Sequence, residues 1–144
     1  MRIDGIWHPC DDGTLRPVML AEIRNKAGAW FPIRMLLDSG ADRTVLSADV
    51  LHELGFQPVS VMQTLGGIGG EVQSVLITTQ IRLLREDGTT VLFDGQFAAI
   101  PDPVALDMSV LGRDLTNLFV VIVDRPQSVV CLLGARHRYV IIAD

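Results

Sequence analysis

The chain has 144 residues, with 12 Lys and Arg against 17 Asp and Glu, a formal net charge of -5 at pH 7. Lys occurs once, at Lys26, and no basic run could track a phosphate backbone, so no nucleic-acid partner is expected. The longest apolar run, Leu118 to Val123, falls far short of the about 20 residues a membrane helix needs, so no membrane partner is expected either.

The length suits one domain, 1–144, large enough to bury a core without disulfides or metals. Apolar residues make up 49% but aromatics only 6%, so the core must be built of Val, Ile, Leu and Ala, material that favours strands. Cys10 and Cys131 are isolated and read as two reduced thiols. His8, Cys10, Asp11 and Asp12 lack a second ligand cluster that would complete a four-coordinate site, so neither metal nor cofactor is expected. The N-terminus has no apolar stretch of the kind a signal peptide needs, and a soluble cytoplasmic protein is expected.

Residues 1–17 mix Gly, Pro and Asp with isolated apolar residues and read as an irregular N-terminal segment. From Val18 to Arg24, apolar Met19, Ala21 and Ile23 alternate with Leu20, Glu22 and Arg24, which fits a strand. Asn25 to Gly28 supply a turn, and Trp30 to Leu37 return as a second strand. That hairpin feeds Asp38-Ser39-Gly40-Ala41-Asp42. Asp, Ser and Gly are ordinary turn residues. Here, however, Met35-Leu36-Leu37 precede the turn and Val45-Leu46 follow it, so Asp38 is expected at the floor of a site rather than in open water.

Ser47 is placed to cap a short helix with Val50, Leu51 and Leu54 on one side and Gly55 as its stop. Pro58 begins an extended run, Val59 to Leu65, that reaches the tip Gly66-Gly67-Ile68-Gly69-Gly70; Val72 to Leu84 leaves it. Four glycines around one Ile describe a mobile hairpin tip whose backbone can approach another chain closely. Asp87-Gly88 is a two-residue hairpin signal between Val75–Arg85 and Thr90–Ile100. After Pro101 and Pro103, Ser109 to Leu115 reads as a strand running into a short helix, Arg113 to Leu118, with Asp114 favourable in its first turn. Phe119–Asp124, Ser128–Leu133 and Tyr139–Ala143 complete at least seven strands with two short helices, an all-β or mainly β class.

Leu36-Leu37-Asp38-Ser39-Gly40-Ala41-Asp42, then Gly66 to Gly70, then Val110-Leu111-Gly112-Arg113-Asp114 resemble, in the same order, three signature blocks of retropepsin-like aspartic proteases. These are the catalytic Asp-Thr/Ser-Gly-Ala turn, the glycine-rich flap, and the hydrophobic-Gly-Arg-Asp/Asn block before the terminal helix. The resemblance implies a closed, mostly β acid-protease barrel with one lobe per chain, acting on a peptide or protein. Only one Asp-Ser-Gly occurs, so the two carboxylates of such an enzyme imply a homodimer with Asp38 from each copy facing across the two-fold axis.

By the same resemblance Asp38 is catalytic, and the Ser39 hydroxyl ties the two active-site turns together. Gly40 lets the substrate backbone approach, and Ala41 and Asp42 bind it. Ile68 with Gly66, Gly67, Gly69 and Gly70 forms the closing flap, while Met108 and Val110 line side pockets that favour apolar residues beside the cleaved bond. Arg113 is read as structural, paired with Asp42 in a partly buried ion pair costly to break on one side. The chain departs from the minimal pattern in its basic Arg43, in the helix between Asp38 and the flap, and in its length beyond Arg113. Ser128–Leu133 and Tyr139–Ala143, within the 119–144 tail, are candidates for the dimer interface.

The implied activity is aspartic endopeptidase. Two carboxylates in near contact share one proton; the ionised one acts as general base on a water, and the protonated one hydrogen-bonds the scissile carbonyl. The alternative is a noncatalytic peptide-binding or dimerisation domain that keeps the acid-protease fold and grips an extended peptide by strand addition at the Ile68 hairpin.

Overall fold

Alternating apolar and polar residues build most of the chain into strands, whose inward faces supply Ile3, Met19, Ile23, Met35, Leu46, Ile81, Leu83 and Leu132 to one fully buried core. The computed structural model describes residues 1–56, 59–67, 70–134 and 142, with side chains described for all of these except 59–63. In chain order the elements are β1 (Arg2–Pro9), β2 (Leu15–Arg24), β3 (Trp30–Leu37), β4 (Val45–Leu46), α1 (Ala48–Leu54), β5 (Val59–Gly67), β6 (Gly70–Leu84), β7 (Thr90–Ala99), β8 (Ser109–Leu111), α2 (Arg113–Thr116), β9 (Val120–Asp124) and β10 (Val129–Leu133). The mainly β class with two short helices is as expected.

The pairings close on themselves. β2 pairs with β3, β3 with β8, β8 with β4, β4 with β7, β7 with β6, and β6 returns to β2, which makes a six-stranded ring. β5 extends the ring beyond β6, and β1, β10 and β9 extend it beyond β2. Two of the contacts, β3–β8 and β4–β7, are parallel. They bring the end of β3 beside the end of β8, which is how residues far apart in sequence meet at Asp38.

The expectation of an irregular segment over 1–17 is corrected. Arg2 to Asp4 pair with β10 and Gly5 to Pro9 with β2, so β1 changes partner half-way along its length. At the crossover, a Cβ on Gly5 would lie 2.6 Å from the Val18 carbonyl oxygen and 2.8 Å from Val130 Cγ1. Gly5 is therefore there for space, and its low strand propensity is what hid the strand.

The two-residue Asp87-Gly88 hairpin is also corrected. Arg85 N–H donates to the Thr89 carbonyl at 2.7 Å and Gly88 N–H to the Arg85 carbonyl at 3.0 Å, so the loop has three residues. Gly88 is left-handed, with φ of 82°. The same pattern closes the hairpins at Cys10–Thr14 and Asn25–Ala29, where Gly13 and Gly28 take the left-handed position.

α1 ends at Gly55 with φ of 66°, as expected, and buries Val50 and Leu54. Ser47 occupies its N-cap without a side-chain capping bond. Its hydroxyl instead meets the Ser109 hydroxyl at 3.0 Å, and its N–H donates to the same oxygen at 3.0 Å, a buried link between β4 and β8. β10 lies between β9, which pairs with it from Val129 to Leu133, and β1, which pairs with it from Cys131 to Leu133. The proposed strand Tyr139–Ala143 lies outside the described residues apart from Ile142. No described helix is long and apolar enough to cross a membrane.

Candidate active site

β3 carries the chain inward through buried Met35 and Leu37, and the backbone then turns at once. Asp38 N–H donates to the Leu111 carbonyl at 3.3 Å, anchoring the turn to β8, and Ala41 N–H donates to the Asp38 carbonyl at 3.3 Å, closing it. Gly40 N–H donates to Asp38 Oδ1 at 2.8 Å. The turn thus aims one oxygen of the carboxylate with its own backbone, the bond that Asp in a tight turn is suited to accept. Asp38 is half-buried, while Ser39 and Gly40 are exposed.

Asp38 opens onto a cleft of about 870 Å³. Its floor comes from Asp38, Gly40, Ala41, Asp42, Arg43 and Val45, and its roof from Thr64, Leu65, Gly66 and Gly67 of the β5–β6 hairpin. In that hairpin Gly66 pairs with Glu71 and Gly67 with Gly70. A Cβ on Gly66 or Gly67 would meet nothing within 4 Å, so the space beside the roof is open. Ile68 and Gly69, expected at the apex of the flap, lie outside the described residues.

The floor is bolted to α2. Arg113 N–H donates to the Ala41 carbonyl at 2.8 Å and Asp114 N–H to the Asp42 carbonyl at 3.2 Å, so two N–H groups at the start of the helix find partners in the active-site loop. In return the Asp114 carboxylate accepts the Thr44 N–H at 2.9 Å and the Thr44 hydroxyl at 2.7 Å. The same hydroxyl accepts the Gly112 N–H at 3.1 Å. Thr44 is only 1% exposed. A Cβ on Gly112 would sit 2.3 Å from the Arg43 carbonyl carbon, so the two backbones are in direct contact.

Asp42 and Arg113 do form the expected ion pair. It is not partly buried: the two side chains are 79% and 50% exposed. The structural role expected of Arg113 is therefore filled largely by its backbone N–H and by its neighbour Asp114.

The sequence-predicted residues do not all meet, and neither Ser39 nor Gly70 lines the cleft. Asp38, Gly40, Ala41, Asp42, Gly66 and Gly67 come together around one cleft. Met108 lines a separate cavity of about 560 Å³ with Phe31, Ile33 and Val50. Val110 is buried and pairs with Leu36 and Val45. Val45, Thr64 and Leu65 line the cleft without having been singled out. Val45 faces the cleft because Thr44 and Leu46 on either side are buried and β alternation turns the residue between them outward, a burial known only once the chain has folded.

A family model described as aspartyl protease matches residues 22–115, which contain the Asp38 turn, the roof hairpin and the start of α2. The chain belongs to the aspartyl protease family. Membership supports peptide hydrolysis by this family member in general terms. Among solved structures, a retropepsin-like aspartic protease from Rickettsia conorii is similar at 19% identity and a TM-score of 0.57, over 92% of this chain and 88% of that one. EIAV protease complexed with the inhibitor HBY-793 is similar at 24% identity and a TM-score of 0.49, over 71% and 86% of the two chains. The likeness to the Rickettsia conorii structure shows that the fold of this aspartyl protease family member is retropepsin-like. No curated protein matches the chain.

Proposed function

We propose that the protein is an aspartic endopeptidase that acts as a homodimer and hydrolyses peptide bonds with a water activated between two Asp38 carboxylates. The observation that carries the reading is the setting of Asp38. Its carboxylate is aimed by the Gly40 N–H at the floor of a cleft that a glycine hairpin roofs. One chain supplies one such turn, so the second carboxylate comes from a second copy related by a two-fold axis.

In that dimer the two carboxylates hold a single proton between them, because ionising both sets like charges side by side. The ionised Asp38 takes a proton from the water, whose oxygen attacks the scissile carbonyl carbon. The protonated Asp38 hydrogen-bonds the carbonyl oxygen as it gains charge, and proton transfer to the amide nitrogen lets the C–N bond break. Ser39 links the two turns, and the roof hairpin with Ile68 and Gly69 closes over the peptide and excludes water. Met108 shapes a side pocket from its separate cavity, whereas Val110 is buried and backs Leu36 and Val45 rather than touching the peptide. Among the described residues β9 is the last strand of the sheet, and Val121 and Val123 stand exposed on one face of it, which supports β9 as part of the surface where the second copy docks.

Sedimentation of wild type and Asp38→Asn, run beside a peptide-library cleavage assay at mildly acidic pH, tests the reading. The expected result is a dimer in both proteins, cleavage blocked by a statine-type inhibitor, and a loss of at least about 10²-fold in the variant, since removing a general base costs that much or more. Undiminished cleavage by Asp38→Asn, or full activity from a strict monomer, overturns it. Tight peptide binding without turnover across about pH 3 to 8, where carboxylates and His titrate, turns the reading to a noncatalytic peptide-binding domain.

A further inference from the structure

Among the described residues, the charged ones lining the cleft are Asp38, Asp42 and one cation, Arg43. Asp42 already faces the Arg113 guanidinium in an exposed ion pair, so it is engaged before any peptide arrives. Arg43 stands on the part of the floor that is bolted to α2. Its backbone presses against Gly112, and Thr44 next to it is held by the Asp114 carboxylate. Its side chain is exposed, and Val45 and Leu65 line the same cleft with apolar surface. Arg43 also holds an interaction of its own, so an incoming acid joins an existing arrangement.

We infer that Arg43 selects substrates carrying an Asp or Glu side chain, set among apolar residues, in the stretch of peptide that crosses the cleft floor. The inference rests on the peptidase reading of this cleft and adds the class of substrate. A guanidinium offers paired donors in a fixed fork that matches a carboxylate, and a partly enclosed cleft weakens competition from water. An apolar side chain gains contact with Val45 and Leu65, whereas a Lys side chain meets Arg43 with like charge. In the two-fold dimer each half of the cleft carries its own Arg43, so the preference applies on both sides of the cleaved bond.

The test uses one set of peptides that differ only in carrying Glu, Gln or Lys at each position around an apolar cleavage site. Cleavage is measured with wild type, Arg43→Gln, Arg43→Glu and Lys26→Glu; the last makes the same charge change at an exposed loop residue outside the cleft. Binding of the same peptides is measured in the Asp38→Asn background. The expected result is a wild-type preference for Glu over Gln of about tenfold or more in kcat/KM, the scale of a charge-assisted hydrogen bond. That preference disappears in Arg43→Gln, reverses toward Lys in Arg43→Glu, and survives in Lys26→Glu. Cleavage with no acid preference, or a preference untouched by both Arg43 variants, overturns the inference and leaves the peptidase reading standing. Acid-selective, Arg43-dependent binding without any cleavage by wild type does the reverse: it overturns the peptidase reading and retains Arg43 as the selector.

Discussion

Among the described residues, three carboxylates accept both the N–H and the hydroxyl of a threonine, and they do so in two very different regions. At the hairpin tips, Asp12 receives Thr14 and Asp87 receives Thr89, partners two residues apart on the exposed rim. At the active-site floor, Asp114 receives Thr44 across 70 residues of sequence, and Thr44 is buried. The bonds are chemically alike. Their consequences differ because water can replace a lost partner at a hairpin tip, whereas a buried N–H that loses its acceptor bears the full cost of desolvation.

The largest expected effect comes from closing the space that lets the floor and α2 meet. Gly112 has an extended backbone, with φ of -92°, so Ala is conformationally acceptable there and the obstacle is purely steric. A methyl group 2.3 Å from the Arg43 carbonyl carbon and 2.4 Å from its oxygen must push two backbones apart. Gly112→Ala is expected to cost about 3 kcal/mol in denaturant unfolding, the upper end for overpacking, and to depress peptide cleavage as Asp42 to Thr44 shift. Near-wild-type stability and activity would show that the junction is softer than its contacts imply.

Next come the two neighbours on α2, whose contrast separates buried from exposed partnering directly. Asp114→Ala strips the buried Thr44 N–H of its acceptor and is expected to cost about 1–3 kcal/mol. Asp114→Asn keeps one carbonyl oxygen for that N–H and should recover part of the loss. Arg113→Ala removes an ion pair whose members are both at least half exposed, and is expected to cost under about 1 kcal/mol. Equal losses for Arg113→Ala and Asp114→Ala in parallel urea titrations would erase the distinction.

The same contrast explains what could be read from the sequence. Local features were legible: the strand from Trp30 to Leu37, the αL stop at Gly55 and the Asp38 turn all depend on residues close together in the chain, and they stand where expected. The ordered blocks around Asp38, Gly66 and Gly112 also announced the fold. Features that depend on a distant partner were not legible. Gly5 looked like a strand breaker because Val18 and Val130, which forbid a side chain there, are known only after β1 has paired. Ser47 looked like a helix cap until Ser109 claimed its hydroxyl. The Asp42–Arg113 pair was correctly matched but wrongly buried, because spacing says which charges meet and nothing about how much water they keep. Even the local Asp87-Gly88 turn misled by one residue, since a left-handed Gly serves a three-residue loop as well as a two-residue one.

The smallest effect belongs to the hairpin tips and is a matter of pH. The Thr89 hydroxyl first, and then the Thr89 N–H, hold the Asp87 carboxyl below the ordinary aspartate range; the Thr14 hydroxyl and N–H do the same for Asp12. A carboxyl depressed on folding binds its proton less readily in the native state than in the unfolded chain. Its contribution is therefore present above the ordinary aspartate value, which for these groups is 3.8, and fades as pH falls through the lower folded value. Asp87→Asn should leave the protein close to wild type in dilute acid below both values, where Asp87 is itself protonated, and marginally less stable near neutrality. The stability curve of the variant should thus fall less steeply than that of wild type on acidification. Urea unfolding at several pH values measures the difference. A variant whose deficit grows as the solution is acidified would mean that the Thr89 bonds favour the protonated carboxyl, contrary to the depressed value.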